Sequence, residues 1–386
     1  MTERLYYHDS YLRQFSANAE ECMGDGTTVY LDRTAFYPAS GGQPFDTGSI
    51  AGIPVVEVVD EDQRIAHRLA APLAPGPVDC AIDWPRRFDH MQQHSGQHLL
   101  SAVFEELFAF KTVSFHLGAE SSTIDLESAG LDPRQVAEAE RRANHIVYEN
   151  RPVSVGFQPA TEAAGLRKPS GRAGDLRIVS IEGLDRSACG GTHVRSTGEI
   201  GAILIRKLEK IRQTVRVEFL CGGRAIARAR ADFDALLRTA QLFSSPLDEV
   251  PVLVAAHLEA GRAADKARRK LELDLAVYQG KELYDVTPPA PDGIRRVVRR
   301  AAEGSLEDLR AIAQSFTARP QAVFIAALRQ PPSVLLALSA DSPADAGKVL
   351  KAALTAAGGR GGGTSRLAQG SVPDSALLER VLESLL

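Results

Sequence analysis

The chain has 386 residues, 44% of them hydrophobic and 24% charged, with a formal net charge of -4. That length exceeds one ordinary core, and the acidic balance excludes a protein that coats nucleic acid indiscriminately. No run approaches the roughly 18 apolar residues that span a bilayer, and Met1-Thr2-Glu3-Arg4 does not open a secretory signal. Cysteines at 22, 80, 189 and 221 set no disulfide framework, so a reducing cytoplasm is the expected setting. Residues 1–85 read as short strands, with Thr28–Leu31 and Val55–Val59 rich in β-formers between glycine, proline and aspartate. A small β-barrel or sandwich is expected there. After Trp84-Pro85 the period changes. Leu99, Leu100, Val103, Phe104, Leu107 and Phe108 form an apolar stripe at helical spacing, on a helix predicted to begin near Arg87.

Val113, Phe115 and Leu117 alternate with Ser114 and His116, and alternation resumes from Thr123 to Leu126, which predicts a hairpin. Asp132-Pro133 starts a helix to about Glu149. Strands follow around 153–157 and 176–182, then a loop carrying Cys189, then strands around 202–206 and 215–219. Residues 86–222 are therefore expected to form one α+β domain. From 223 to 288 the chain is rich in Ala, Leu, Arg, Lys and Glu, broken at Ser244-Ser245-Pro246, and reads as two antiparallel helices forming an arm. Residues 289–386 alternate strands and helices, with a helix capped by Ser305 and a glycine run from 358 to 363, and read as a separate α/β domain. The arm or this last domain offers a surface for pairing two copies, although a helical hairpin can bury its stripe on itself.

The chemistry concentrates in two ligand pairs. His94 and His98 lie one turn apart on one helix face, and Cys189 and His193 repeat the i,i+4 spacing far along the chain. Three imidazoles and a thiolate complete a tetrahedral set that suits one Zn²⁺. The zinc-protease motif shares His-x-x-x-His but needs Glu after the first histidine, where this chain has Ser95. The glycine run lacks the Gly-Lys-Ser/Thr ending of a P-loop, and its alternatives are a backbone contact to phosphate or a flexible connector. Basic residues cluster at Arg86 and Arg87, at Arg167 and Lys168, and between Arg206 and Arg216. Each cluster reads either as a track for an anionic partner or as a solvated face.

The residues also match a family. His94-Ser95-Gly96-Gln97-His98-Leu99-Leu100, Cys189-Gly190-Gly191-Thr192-His193 and Thr197-Gly198-Glu199-Ile200-Gly201 resemble the editing domain of alanyl-tRNA synthetase. They resemble more closely its freestanding relatives, the AlaX trans-editing proteins. Thr34 to Pro44 with Asp46-Thr47-Gly48 is similar to the family's N-terminal glycine motif, with Ser40 where the first glycine of the usual triplet stands. Gly358 to Gly370 looks like the synthetase's C-terminal glycine-rich domain, which marks the long form of the family. No segment resembles an amino-acid-activating domain.

The resemblance implies hydrolysis, in trans, of tRNA(Ala) mischarged with serine or glycine. An apolar pocket cannot strongly reject an analogue that merely adds a hydroxyl, so a second, hydrolytic site supplies the missing discrimination. The implied metal ligands are His94, His98, Cys189 and His193. Thr34 is a candidate for bonding the serine side chain, or else an ordinary turn threonine. Gly41, Gly42 and Gln43 are candidates for backbone and side-chain contact with the terminal adenosine or ester, the glycines being equally explained by a turn. His116 is a candidate for positioning water, or a surface histidine. Thr192, Arg86 and Arg87 complete the expected substrate contacts. Rival readings are a silent tRNA-binding module of the same fold and a zinc hydrolase of other aminoacyl esters.

Overall fold

The computed structural model describes every residue except 170, 172, 173, 304 and 305, with the backbone alone at 303. The chain divides into two compact units, Met1–Thr239 and Ala240–Leu386. Helices and strands mix in both, an α+β protein. The boundary falls inside the segment expected to be a separate arm.

In the first unit β1 (Glu3–Arg4) pairs with β4 (Arg33–Thr34), on either side of β2 (Gln14–Met23) and β3 (Thr28–Leu31). Next come β5 (Gly48–Ile50), β6 (Ile53–Glu61), β7 (Arg64–Leu69) and β8 (Gly76–Ile82). Strands β2-β3-β7-β6-β5-β8 close into a barrel, which removes the exposed edges of a small sheet. Val29, Phe36, Ile50, Val58 and Ile65 fill it.

Helix α1 (Trp84–Phe108) starts three residues before the expected Arg87. Asp83 caps it by accepting from the Arg86 amide, and Pro85 sits in the first turn, where it sacrifices no helical hydrogen bond. Met91, Leu99, Leu100, Val103 and Phe104 on α1 are fully buried. Around them lie β9 (Thr112–Leu117), β10 (Ser122–Leu126), α2 (Pro133–Glu149), β11 (Val153–Pro159), β12 (Asp175–Ile181), β13 (Asp185–Ala188), β14 (Ile203–Ile211) and β15 (Thr214–Cys221). Helix α2 carries the expected start, completed by a capping box between Asp132 and Gln135. The strands make two sheets, β14-β15-β10-β9 and β11-β12-β13. Gln93 of α1 bonds both the amide and the carbonyl of Cys221, fixing the helix to the end of β15. Helix α3 (Gly222–Phe243) crosses the boundary between the units.

The second unit begins with α4 (Val250–Val286), a helix whose only buried residues are Val250, Ala276, Gly280 and Tyr284. It continues through β16 (Arg295–Glu303), α5 (Leu306–Thr317), β17 (Ala322–Gln330), β18 (Pro332–Leu338), α6 (Ala346–Ala356), β19 (Arg360–Gly363), β20 (Leu367–Ser371) and α7 (Ser375–Leu385). Its sheet runs β16-β17-β18-β20-β19. The expected cap Ser305 lies outside the described residues. The run Gly361-Gly362-Gly363 is an edge strand registered on β20, and so not the flexible connector that is one of its two expected readings. A Cβ at Gly363 would stand 2.2 Å from the Leu367 carbonyl oxygen, so close strand packing demands the glycine. No helix among the described residues is long and apolar enough to cross a membrane.

Candidate metal centre

Helix α1 presents His94 and His98 on one face, and the loop leaving β13 presents Cys189 and His193. The ligand atoms of these four all lie within 4.8 Å of one another. Cys189 Sγ is 3.4 Å from His94 Nε2 and 3.7 Å from His193 Nε2. Tetrahedral bonds of about 2.3 Å to sulfur and 2.0 Å to nitrogen would set such atoms about 3.5 Å apart. The separations suit a bound ion.

Each imidazole is oriented by its other nitrogen. His94 Nδ1 lies 2.8 Å from Gln43 Oε1, His98 Nδ1 2.9 Å from Asp185 Oδ2, and His193 Nδ1 3.1 Å from the Gly191 carbonyl. All three partners are acceptors, so each Nδ1 carries a proton and each Nε2 faces the common centre, where a bound ion would take its lone pair. Gly191 permits the close approach of the loop: a Cβ there would sit 2.3 Å from His94 Cε1. Arg167 Nε donates to Asp185 Oδ1 at 2.7 Å, backing the carboxylate that holds His98.

The charges follow. Burial pushes the Cys189 thiol up, but the imidazoles of His94 and His193 outweigh it and hold the group well below its ordinary value. Burial likewise opposes a charged His98, yet Asp185 and the Cys189 thiolate raise it to about 9. Burial alone dominates at His193, lowered to about 3. The cluster is a preformed thiolate among imidazoles, which could hold a metal ion.

Two cavities touch it. One, of about 240 Å³, is lined by Gln97, His98, Phe115, Arg167, Lys168 and Cys189. The Gln97 side chain is 2% exposed, gives its amide protons to Ser101, and leaves Oε1 without a partner. The other, of about 70 Å³, is lined by Tyr6, Tyr7, Tyr37, His94 and Cys189 among others, and the buried Tyr6 hydroxyl also has no partner.

The remaining expected residues are placed as follows. Gln43 is brought to the cluster, but as the partner of His94 rather than as a substrate contact. The turn from Ser40 to Gln43 has positive φ at Gly41 and Gly42, +55° and +84°, the two-residue turn that glycine favours, and it delivers that side chain. The Thr192 hydroxyl accepts from Gln43 Nε2 at 2.8 Å and the Thr192 amide donates to Gln43 Oε1 at 3.1 Å, so both residues expected to meet substrate already engage one another. Thr34 is fully buried, its hydroxyl 2.8 Å from His67 Nε2 and accepting from the Phe36 amide.

Arg87 corrects the expectation most sharply. It is wholly buried, its guanidinium bonded to Asp46 and to the Ser10 and Ala35 carbonyls, so it fastens α1 to the barrel segment and has nothing left for a substrate. Arg86 donates to the Phe45 carbonyl at 3.1 Å. His116 is exposed and pairs across the hairpin with Thr123. Strand alternation turns it away from the centre, while its neighbour Phe115 packs 5.6 Å from the His94 ring. Asp185 and Gln97 were not singled out from sequence: no spacing marks the first, and only its place beside His98 marks the second.

The family described as the threonyl and alanyl tRNA synthetase second additional domain matches residues 176–218, the stretch holding Cys189 and His193. The alanine–tRNA ligase of Pyrococcus furiosus is 32% identical over the whole chain, which spans only 43% of that ligase. The alanyl-tRNA editing protein AlaX-L of Pyrococcus horikoshii is 31% identical over 96% of the chain and 95% of its own length. The alanyl-tRNA editing protein Aarsd1 of Mus musculus is 32% identical over 83% of the chain and 82% of its own.

Proposed function

The chain belongs to the alanyl-tRNA editing proteins, and on that premise we propose that it hydrolyses, in trans, the ester of tRNA(Ala) mischarged with serine, with glycine as a second substrate. We take the metal to be one Zn²⁺ per chain, the ion that a borderline set of three imidazoles and a thiolate favours. The observation that carries the reading is the convergence of that set beside a cavity lined in part by Gln97, whose buried carbonyl has no partner.

Zn²⁺ bound by the four residues would supply fixed positive charge beside the ester, and a full shell of protein ligands gives it the role of organising the pocket. Asp185, Gln43 and the Gly191 carbonyl keep the imidazoles aimed. Gln97 Oε1 accepts a hydrogen bond from the serine hydroxyl. An alanine methyl leaves that buried acceptor unpaired, and this kind of mismatch discriminates far better than a missing methylene does. Glycine leaves room for a water in the same place. The ester is already activated, so positioning of an attacking water suffices without a covalent nucleophile. Lys168 adds positive charge at the mouth for an anionic partner. A cytoplasmic setting, and pairing of two copies through the exposed leucines of α4, such as Leu258, Leu271 and Leu275, complete the proposal.

The test is a panel of tRNA(Ala) charged with serine, glycine or alanine. Serine is released fastest, and Gln97→Leu narrows the serine-to-alanine preference by about ten- to a hundredfold, the worth of one buried hydrogen bond. Equal rates on serine and alanine in the unaltered chain would refute the reading. Equal rates on charged tRNA and on free serine esters would favour a general esterase.

A further inference from the structure

The N-terminal segment carries a row of aromatic rings interleaved with arginines, and the mechanism above uses none of them. Tyr7 lines the small cavity beside His94 and Cys189, with the guanidinium carbons of Arg4 and Arg177 each 5.6 Å from its ring. His8 is exposed and lies 5.3 Å from Phe157, itself 47% exposed. Arg195, two residues beyond the ligand His193, lies over the Tyr11 ring at 3.9 Å. Tyr11 in turn lies 5.3 Å from Trp84, over which Arg13 sits at 4.0 Å. Tyr11, Arg13 and Trp84 line an open groove of about 590 Å³.

Folding gains little from a half-exposed phenylalanine against an exposed histidine. Arginine planes and aromatic faces in alternation are, however, what unpaired bases stack on, while the cations meet the phosphates. Acidic groups on the row are engaged: Asp9 is 3.6 Å from Arg195, and the Glu199 carboxylate takes the Tyr11 hydroxyl. They steady the row. The distance from Trp84 to the centre also fits. Trp84 and His94 are ten residues apart on α1, about 15 Å along the axis. At ~3.4 Å per stacked nucleotide that distance holds about four, a match for the short unpaired 3′ end of a tRNA.

We propose that the row from Tyr7 to Trp84 is a stacking track for the single-stranded 3′ nucleotides of the tRNA, leading the charged end to the metal centre. This rests on the editing reading above and adds to it the surface that holds the unpaired end.

Trp84 is the only tryptophan, so its fluorescence reports the track directly. The full chain is titrated with uncharged tRNA(Ala) and with the same tRNA lacking its 3′ CCA. Intact tRNA quenches Trp84, and the trimmed one binds about tenfold or more weakly without quenching. Phe157→Ala and Arg13→Ala each raise KM for seryl-tRNA(Ala) about tenfold, with kcat, zinc content and cleavage of the serine ester of adenosine unchanged. Equal affinity and quenching by trimmed tRNA, or variants with unchanged KM, would overturn the track and leave the editing reading standing. A chain that binds neither tRNA overturns both.

Discussion

His98 shows how one side chain's surroundings set what the centre does. In the metal-free chain burial works against its charge, but Asp185 and the Cys189 thiolate hold its proton to about pH 9. A metal ligand must be neutral, so loading zinc at pH 7 expels this proton. Apparent zinc affinity therefore falls about tenfold per unit as pH drops below 9, and calorimetry in buffers of different ionisation enthalpy records about one proton released. Gln43 acts on the same centre through His94. Gln43→Leu removes the acceptor at Nδ1 and lowers zinc affinity about 10- to 100-fold, with serine release restored by excess zinc. An unchanged zinc affinity would return Gln43 to the substrate. The four clustered residues were legible because i,i+4 spacing is written in the chain. Their hydrogen-bond partners were not, because Asp185 reaches His98 across 87 residues and nothing local marks it.

At the scale of elements, the decisive one is α1, which carries His94 and His98 and is fastened twice on the N-terminal side of that turn. Gln93 ties it to Cys221, and Arg87 ties it to Asp46, whose carboxylate also accepts from the Tyr37 amide at 2.6 Å. Removing one partner of a buried ion pair strands the other. Arg87→Met is expected to cost about 3–5 kcal/mol in chemical denaturation, whereas the paired change Arg87→Met with Asp46→Leu costs much less. A negligible cost for the single change would show that Arg87 is free for substrate after all. The helix was readable from its apolar stripe, but its start was not. Asp83 and Pro85 are ordinary start signals, but the apolar periodicity sets in only beyond them. The short polar strand β13, Asp185–Ala188, is not legible in the sequence because it shows no alternation of apolar residues. The glycine strand β19 is not legible either, because glycine usually interrupts strands, and only the packing against β20 reveals why it is needed here.

Over the whole molecule, the order of segments was legible: β-rich first, α+β next, helices, then a final α/β region. Their grouping was not, since it depends on contacts between distant residues, and two units stand where four segments were read. We keep the division at 85, 222 and 288 as a proposal about independently folding parts. Every ligand, orienting partner and cavity residue of the centre belongs to Met1–Thr239. On the function proposed above, the four-residue centre is what makes this unit an editing site. The direct test measures bound zinc and serine released from seryl-tRNA(Ala) together, on the full chain and on Cys189→Ala. About one zinc per chain and rapid release are expected in the first, and a parallel loss of both in the second. Full release by a Cys189→Ala chain free of zinc would contradict that role of the centre.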